Sequence, residues 1–282
     1  MVKIVTDSTA DLPAEIVQKL GISIVPLIVE TDGAALIDGI TITRQQFYAN
    51  LSQYRELPKT ASPSPDVFAS VYRANLQGED DEVVAIHLNS KFSSVYDSAK
   101  LAAASINAGS ERVHVIDSET VTMGLGWLAL VADQMARSGA SAKSIIEKVE
   151  SLRSHIRIYA LMDTLRYLRK GGRANAVVAG IGDLLQVKIL LRVQNGSIEQ
   201  IDRIRTRARG IARMIDVAHR YRSYEHLSVL FTTTNGDNEI KNLQNQLKDL
   251  IPVDQQFAMQ VTPIIGTHVG PMALGLAIAA DV

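Results

Sequence analysis

Three hydroxyl-rich stretches and one histidine are the groups in this chain best suited to holding or stabilising charge. The first stretch, NSKFSSVYDSA at residues 89–99, places Ser90, Ser93 and Ser94 between a short apolar run and an alanine-rich helical one. A helix start there has N–H groups without intrahelical partners and the positive end of the helix dipole. It therefore suits a phosphate, a carboxylate, or nothing beyond a serine cap. The other two stretches are TDSTAD at residues 6–11 and KTASPSP at residues 59–65, which contains Thr60. In a parallel sheet such connections converge at one end, where ligands bind. The fourth feature is His268 in IIGTHVGPMALGLA, where glycines permit close backbone approach and an imidazole beside hydroxyls can orient an anion.

Other chemistries fit less well. A Ser93–His268 pair with an acid such as Asp7 would suit a serine hydrolase, but no G-x-S-x-G elbow surrounds any candidate serine. Neither a G-x-x-x-x-G-K-[ST] loop nor a kinase G-x-G-x-x-G set is present, so the chain is not expected to bind ATP itself. The absence of cysteine excludes disulfides, thiolate catalysis and cysteine-based zinc sites, and no metal or cofactor is expected. DRIRTRARGIARM at residues 202–214 concentrates Arg203, Arg205, Arg207, Arg209 and Arg213. This cluster reads as a solvated turn or as a contact for phosphate, RNA or an acidic partner. An Arg-rich RNA-binding or regulatory role stays a minor alternative, because no RNA-binding aromatic signature accompanies it. A formal charge of −1 supplies no global attraction to nucleic acid or an anionic bilayer.

These groups need a scaffold, and 282 residues with 46% apolar content suffice for one large or two ordinary domains. Residues 2–6, 82–88 and 112–116 read as strands. A helix opened by Asp11 and Pro13 and ending at Leu20, another starting at residues 63–66, and helices at 93–106, 126–137 and 144–155 alternate with them. This alternation predicts an α/β fold in which residues 1–155 form an N-terminal domain with a largely parallel sheet flanked by helices, carrying the anion-binding loops. Residues 156–282 are expected to form a second α/β domain with a mixed sheet. Its strands are predicted at 157–162, 187–193, 198–204 and 226–231, with a hairpin at Asn195-Gly196 and two further strands at the end. Helices are expected at 164–170 and 237–250 and, nearly all apolar, at 175–185, where a core helix and the wall of a lipid cavity are equally good readings. Residues 255–280 carry no Asp, Glu, Lys or Arg, but Pro263, Gly266, His268, Gly270 and Pro271 break them into buried strands and turns rather than a membrane span. The opening MVKIVTDS enters a strand at once, without a basic start or apolar core, which with the lack of cysteine predicts a cytoplasmic location.

The segments IVTDSTADLP (4–13), TASPSP (60–65), NSKFSSVYDSA (89–99), DTLRYLRKGGR (163–173), LLQVKILL (184–191), IRTR (204–207) and IGTHVGPMALGLA (265–277) resemble, in this order, the DegV family. Its fatty-acid-binding members are the FakB proteins of bacterial fatty acid kinase systems. The resemblance implies two α/β domains with a tunnel for a long-chain fatty acid. It implies a carboxylate site near Thr60, Ser93, Ser94 and His268, with Arg205 near the head group. It also implies that Arg173, on an exposed turn after Gly171-Gly172 and flanked by Arg169 and Lys170, docks a kinase or an anionic membrane surface. By the same resemblance the chain is a carrier, the substrate-binding subunit of a kinase system rather than an enzyme. A separate ATP-dependent, dihydroxyacetone-kinase-like protein would phosphorylate the bound carboxylate and the acyl phosphate would go to phospholipid synthesis, with transient membrane contact and no nucleic acid. The sequence departs from the family pattern at Ser94 and Val95, where Gly and Thr are usual, at Ile189 for Pro and at Met272 for Gly. A side chain at Ser94 would narrow the approach to the anion site. Of the three candidates at the serine-rich junction, the resemblance selects the carboxylate, a mono-anion that needs less charge compensation than a phosphate.

Overall fold

The computed structural model describes residues 1–173, 177–178, 187–233 and 236–282. Strand β1 (Val2–Asp7) ends on four buried residues, the pattern of a strand covered on both faces. After α1 (Ala14–Leu20) the apolar run at residues 22–29 is interrupted at Pro26, which cannot donate to a ladder, and splits into β2 (Ser23–Val25) and β3 (Ile28–Thr31). Then come β4 (Ala34–Ile37), α2 (Arg44–Asn50), β5 (Lys59–Ala61), α3 (Pro65–Asn75), β6 (Glu82–His87), α4 (Val95–Ile106), β7 (Val113–Asp117), α5 (Met123–Arg137) and α6 (Ala142–Leu152). The order β2-β1-β6-β7 makes a parallel sheet, against which α3, α4, α5 and α6 pack. A small antiparallel sheet, β4-β3-β5, was not legible in the alternation and places Thr60 opposite Val29.

The second half contributes β8 (Ile156–Met162), α7 (Arg166–Lys170), β9 (Val177–Val178), β10 (Lys188–Gln194), β11 (Ser197–Ile204), α8 (Arg207–Ala218), β12 (Tyr224–Phe231), α9 (Asp237–Gln246), β13 (Phe257–Gln260), α10 (Pro263–Val269) and β14 (Leu274–Ala280). Its strands form one mixed sheet in the order β13-β12-β14-β8-β10-β11-β9. The β10–β11 hairpin turns at Asn195 and Gly196, both at positive φ (50° and 69°), as a tight two-residue turn requires. The apolar helix expected at 175–185 lies outside the described residues, apart from Val177–Val178, which pair with β11 as a short strand.

Alternation along the mixed sheet sorts its side chains between two cores. Tyr159, Leu161, Leu190, Val229 and Leu276 pack with α8 and α9, whereas Ile158, Met162, Leu191 and Leu230 belong to the larger core shared with the parallel sheet. A cavity opens within that larger core.

Two expectations fail here. Residues 263–269 are helix α10 rather than strand and turn: Thr262 stands at the N-cap with extended backbone, Pro263 occupies the first turn where its missing N–H costs nothing, and Gly270 stops the helix. Asp11 does not cap α1. It is buried at φ 57°, and its carboxylate accepts the Thr262 N–H at 2.6 Å instead.

Candidate ligand site

Helix α10 is fixed from below by polar groups of the N-terminal half. Besides the Asp11–Thr262 bond, Arg44 donates to the Gln260 carbonyl (2.6 Å) and Tyr48 to the Val261 carbonyl (3.1 Å). Burial pushes Asp11 up to about 7, against the opposing pull of Arg44 at 3.8 Å. A Cβ at Gly266 would lie 2.4 Å from the Tyr48 hydroxyl, so glycine lets α10 sit directly on α2.

This seating carries His268 to β5, where Nε2 lies 2.9 Å from Thr60 Oγ1 across 208 positions of sequence. Burial, aided by the Arg173 guanidinium, pushes the imidazole down to about 4, so it is neutral at pH 7. Nδ1 is buried with no hydrogen-bond partner among the described residues. The β6–α4 loop supplies Ser93. Its backbone is held by Asn89, whose carboxamide oxygen accepts from Lys91 N (3.0 Å), and by Asp117, which accepts from Ser90 N (3.2 Å). Arg173 reaches the same loop from the turn after α7: Nε donates to the Phe92 carbonyl (3.0 Å) and Nη1 to the Gly171 carbonyl (2.6 Å).

Thr60, Ser93, Arg173 and His268 line one cavity. Its walls are otherwise mainly apolar, built from residues such as Ile158, Ala160, Leu191, Val193 and Ile264. The space between its lining atoms, opening included, is about 1060 Å³. Among the described lining residues Arg173 carries the only full charge, and no carboxylate faces it. Such a space accepts an elongated apolar body with one mono-anionic end.

A family model described as "Uncharacterised protein, DegV family" matches residues 1–281. The chain belongs to the DegV family. A DegV domain-containing protein of Streptomyces coelicolor is 32% identical over 280 residues, covering 99% of this chain and 98% of that one. A solved structure described as fatty acid binding of a DegV family protein from Thermus thermophilus superposes with a TM-score of 0.88 at 28% identity, covering 99% of each chain. DegV of Bacillus subtilis, described as a fatty acid binding protein, gives a TM-score of 0.87 at 28% identity, again over 99% of each chain.

Within this DegV fold the residues singled out from sequence separate into two groups. Thr60, Ser93 and His268 converge. Ser94 does not line the cavity: it is exposed at the N-cap of α4 and makes no capping bond with its side chain. Arg205 is likewise exposed between β11 and α8 and lies outside the lining. Within the cluster around it, Arg207 pairs with Glu239 (2.6 Å) and Arg213 with Asp202 (3.0 Å). Arg173 departs from the exposed-turn expectation: Gly172 is exposed and at positive φ, but Arg173 folds inward and is partly buried against Phe92. The hydrolase arrangement is not assembled, because His268 pairs with Thr60 rather than Ser93, and Asp7 lies 3.1 Å from His87 in a separate buried cluster. Sequence reasoning assigns no role in the site to Asn89, and reads Gly171 only as part of the turn before Arg173. The Asn89 carboxamide oxygen holds the loop through Lys91 N, and Gly171 leaves room for the His268 ring. Among the described residues no helix is long and apolar enough to cross a membrane.

Proposed function

We propose that this protein is a carrier for a long-chain fatty acid, and the observation that carries the proposal is an apolar cavity whose only full charge among the described lining residues is Arg173. With Nε2–H of the neutral His268 donating to Thr60 Oγ1, the threonine proton is left to donate to a carboxylate oxygen. Ser93 supplies a second hydroxyl and Arg173 the compensating charge. At about 0.8 kcal/mol per buried CH₂, a long acyl chain gains on the order of 10 kcal/mol before the costs of binding are subtracted. The fatty-acid-binding descriptions of the Thermus and Bacillus relatives support the same ligand class.

The carrier presents its cargo to a separate ATP-dependent kinase. A carboxylate oxygen attacks the terminal phosphorus of ATP, the bond to the ADP oxygen breaks, and acyl phosphate and ADP result. The acyl phosphate passes to phospholipid synthesis through transient contact with an anionic membrane surface. What supports this part is the family resemblance, together with the lack of any nucleotide phosphate loop in the chain itself.

Native mass spectrometry of the purified protein, followed by solvent extraction, tests the ligand. The expected result is a set of adducts matching fatty acids, near one per chain. If purification and reloading with free fatty acids both return only the unliganded mass, the carrier reading is wrong.

A further inference from the structure

A second, more polar recess adjoins the carboxylate end of the cavity. It shares Phe92, Ser93 and Arg173 with the cavity and adds Ser90, Lys91, Gly172, Gly196 and Ser197. Lys91 adds a second cation to Arg173 here, and its Nζ lies 3.2 Å from the position a Cβ would take on Gly196 in the hairpin turn. Asn89 lies behind this loop, completely buried, with both the Nδ2 and the Oδ1 of its carboxamide 3.5 Å from the same position. Lys91 is exposed and forms no ion pair among the described residues. Two acids hold this loop by its backbone: Asp117 accepts from the N–H groups of Ser90 and Glu119, and Asp7 from that of Leu88.

We infer that this recess is a phosphoryl-binding subsite, in which Lys91 and the Ser93–Arg173 edge receive the phosphate of an acyl phosphate whose chain still occupies the cavity. The inference deepens the carrier reading and rests on it. The cavity itself, with one guanidinium, matches a mono-anion. Phosphorylation adds charge and acceptor oxygens that this single group does not compensate, and the extra donors stand immediately outside it. The shared residues make the subsite continuous with the acyl chain, which favours a phosphoryl group attached to the cargo over free phosphate. Lys91 lies in the loop of the parallel-sheet half and Gly196 in the hairpin of the mixed sheet, so the subsite exists only when the two halves are assembled.

The test uses the full-length protein with hexadecanoate, hexadecylphosphonate as a stable phosphoryl analogue, and inorganic phosphate, each titrated against wild type, Lys91→Ala and Lys91→Glu. Loss of a charge-assisted contact should weaken hexadecylphosphonate by about tenfold in Lys91→Ala and more in Lys91→Glu, with hexadecanoate changed less than about twofold. Lys91 is exposed, so folding is not at issue, and thermal unfolding of each variant checks this. Equal effects on both lipids, or no effect on either, overturn the subsite while leaving fatty acid binding standing. Saturable binding of inorganic phosphate that hexadecylphosphonate does not displace overturns the assignment to cargo. If wild type binds neither lipid, the carrier reading falls and the subsite with it.

Discussion

Gly171 faces the ring of His268 so closely that a Cβ built on it lies 2.4 Å from Nδ1 and 2.9 Å from Cε1. Neither atom belongs to a flexible chain end, since the imidazole is held on its other side by Thr60 at 2.9 Å. Gly171→Ala should therefore push the ring off Thr60 and lower fatty acid affinity by about tenfold, the scale of one lost hydrogen bond to a charged group. Titration with hexadecanoate measures it, with thermal unfolding as the control for folding. Unchanged affinity would mean that His268 has no part in holding the head group.

Thr60→Val keeps the shape of the side chain and removes its hydroxyl. If that proton serves the carboxylate, hexadecanoate should lose roughly 1.5–3 kcal/mol of binding while its methyl ester loses much less, because an ester accepts only a neutral hydrogen bond. Equal losses for acid and ester would assign Thr60 to the wall of the cavity alone.

Arg173→Gln removes the charge from the cavity but keeps a donor that can reach the Phe92 carbonyl. Weaker retention of fatty acid, persisting at high salt because the group is partly buried, is the expected result. The competing role, docking to a kinase or membrane, makes the opposite forecast: intact retention, slower exchange with anionic vesicles, and an effect that fades as salt is raised.

Asp11 gives a pH signature. Its folded value of about 7 lies above the ordinary 3.8, because burial outweighs the attraction of Arg44. Between those values the folded chain holds a proton that the unfolded chain has released, so this group's contribution to stability declines as pH rises from 3.8 through 7. His268 runs the other way: with its value lowered from 6.5 to about 4, it costs stability as pH falls through that window. Comparison with Asp11→Asn isolates the first effect. Asparagine can still accept from Thr262, so the melting temperature of wild type relative to this variant should fall between about pH 5 and about pH 8. A constant difference across that range would show that Asp11 does not titrate there.

Periodicity and turn chemistry make several elements of this fold legible in the sequence. The β6–α4 junction, the parallel order implied by alternating strands and helices, and the Asn195-Gly196 hairpin all depend on residues within a few positions of one another. The convergence of Thr60, Ser93 and His268 was suggested by family resemblance rather than by spacing, since residues 208 positions apart have no local signal that they will meet. Helix α10 has no helical signature in the sequence because Pro263 and Gly266 read as breakers, whereas Pro263 opens the helix and Gly266 is a packing site where it rests on Tyr48.

What the sequence by itself determined was therefore the local menu: which stretches become strands and helices, and where a hairpin must turn. Tertiary structure alone decided which of those groups share a cavity. It turned Arg173 inward onto the Phe92 carbonyl, left Ser94 and Arg205 facing solvent, and used Asp11 to anchor α10 rather than to cap α1. The reason is physical. A charge or hydroxyl takes its role from the dielectric around it and from partners brought within about 3 Å, and both are set by how the two sheets pack, not by neighbours in the chain.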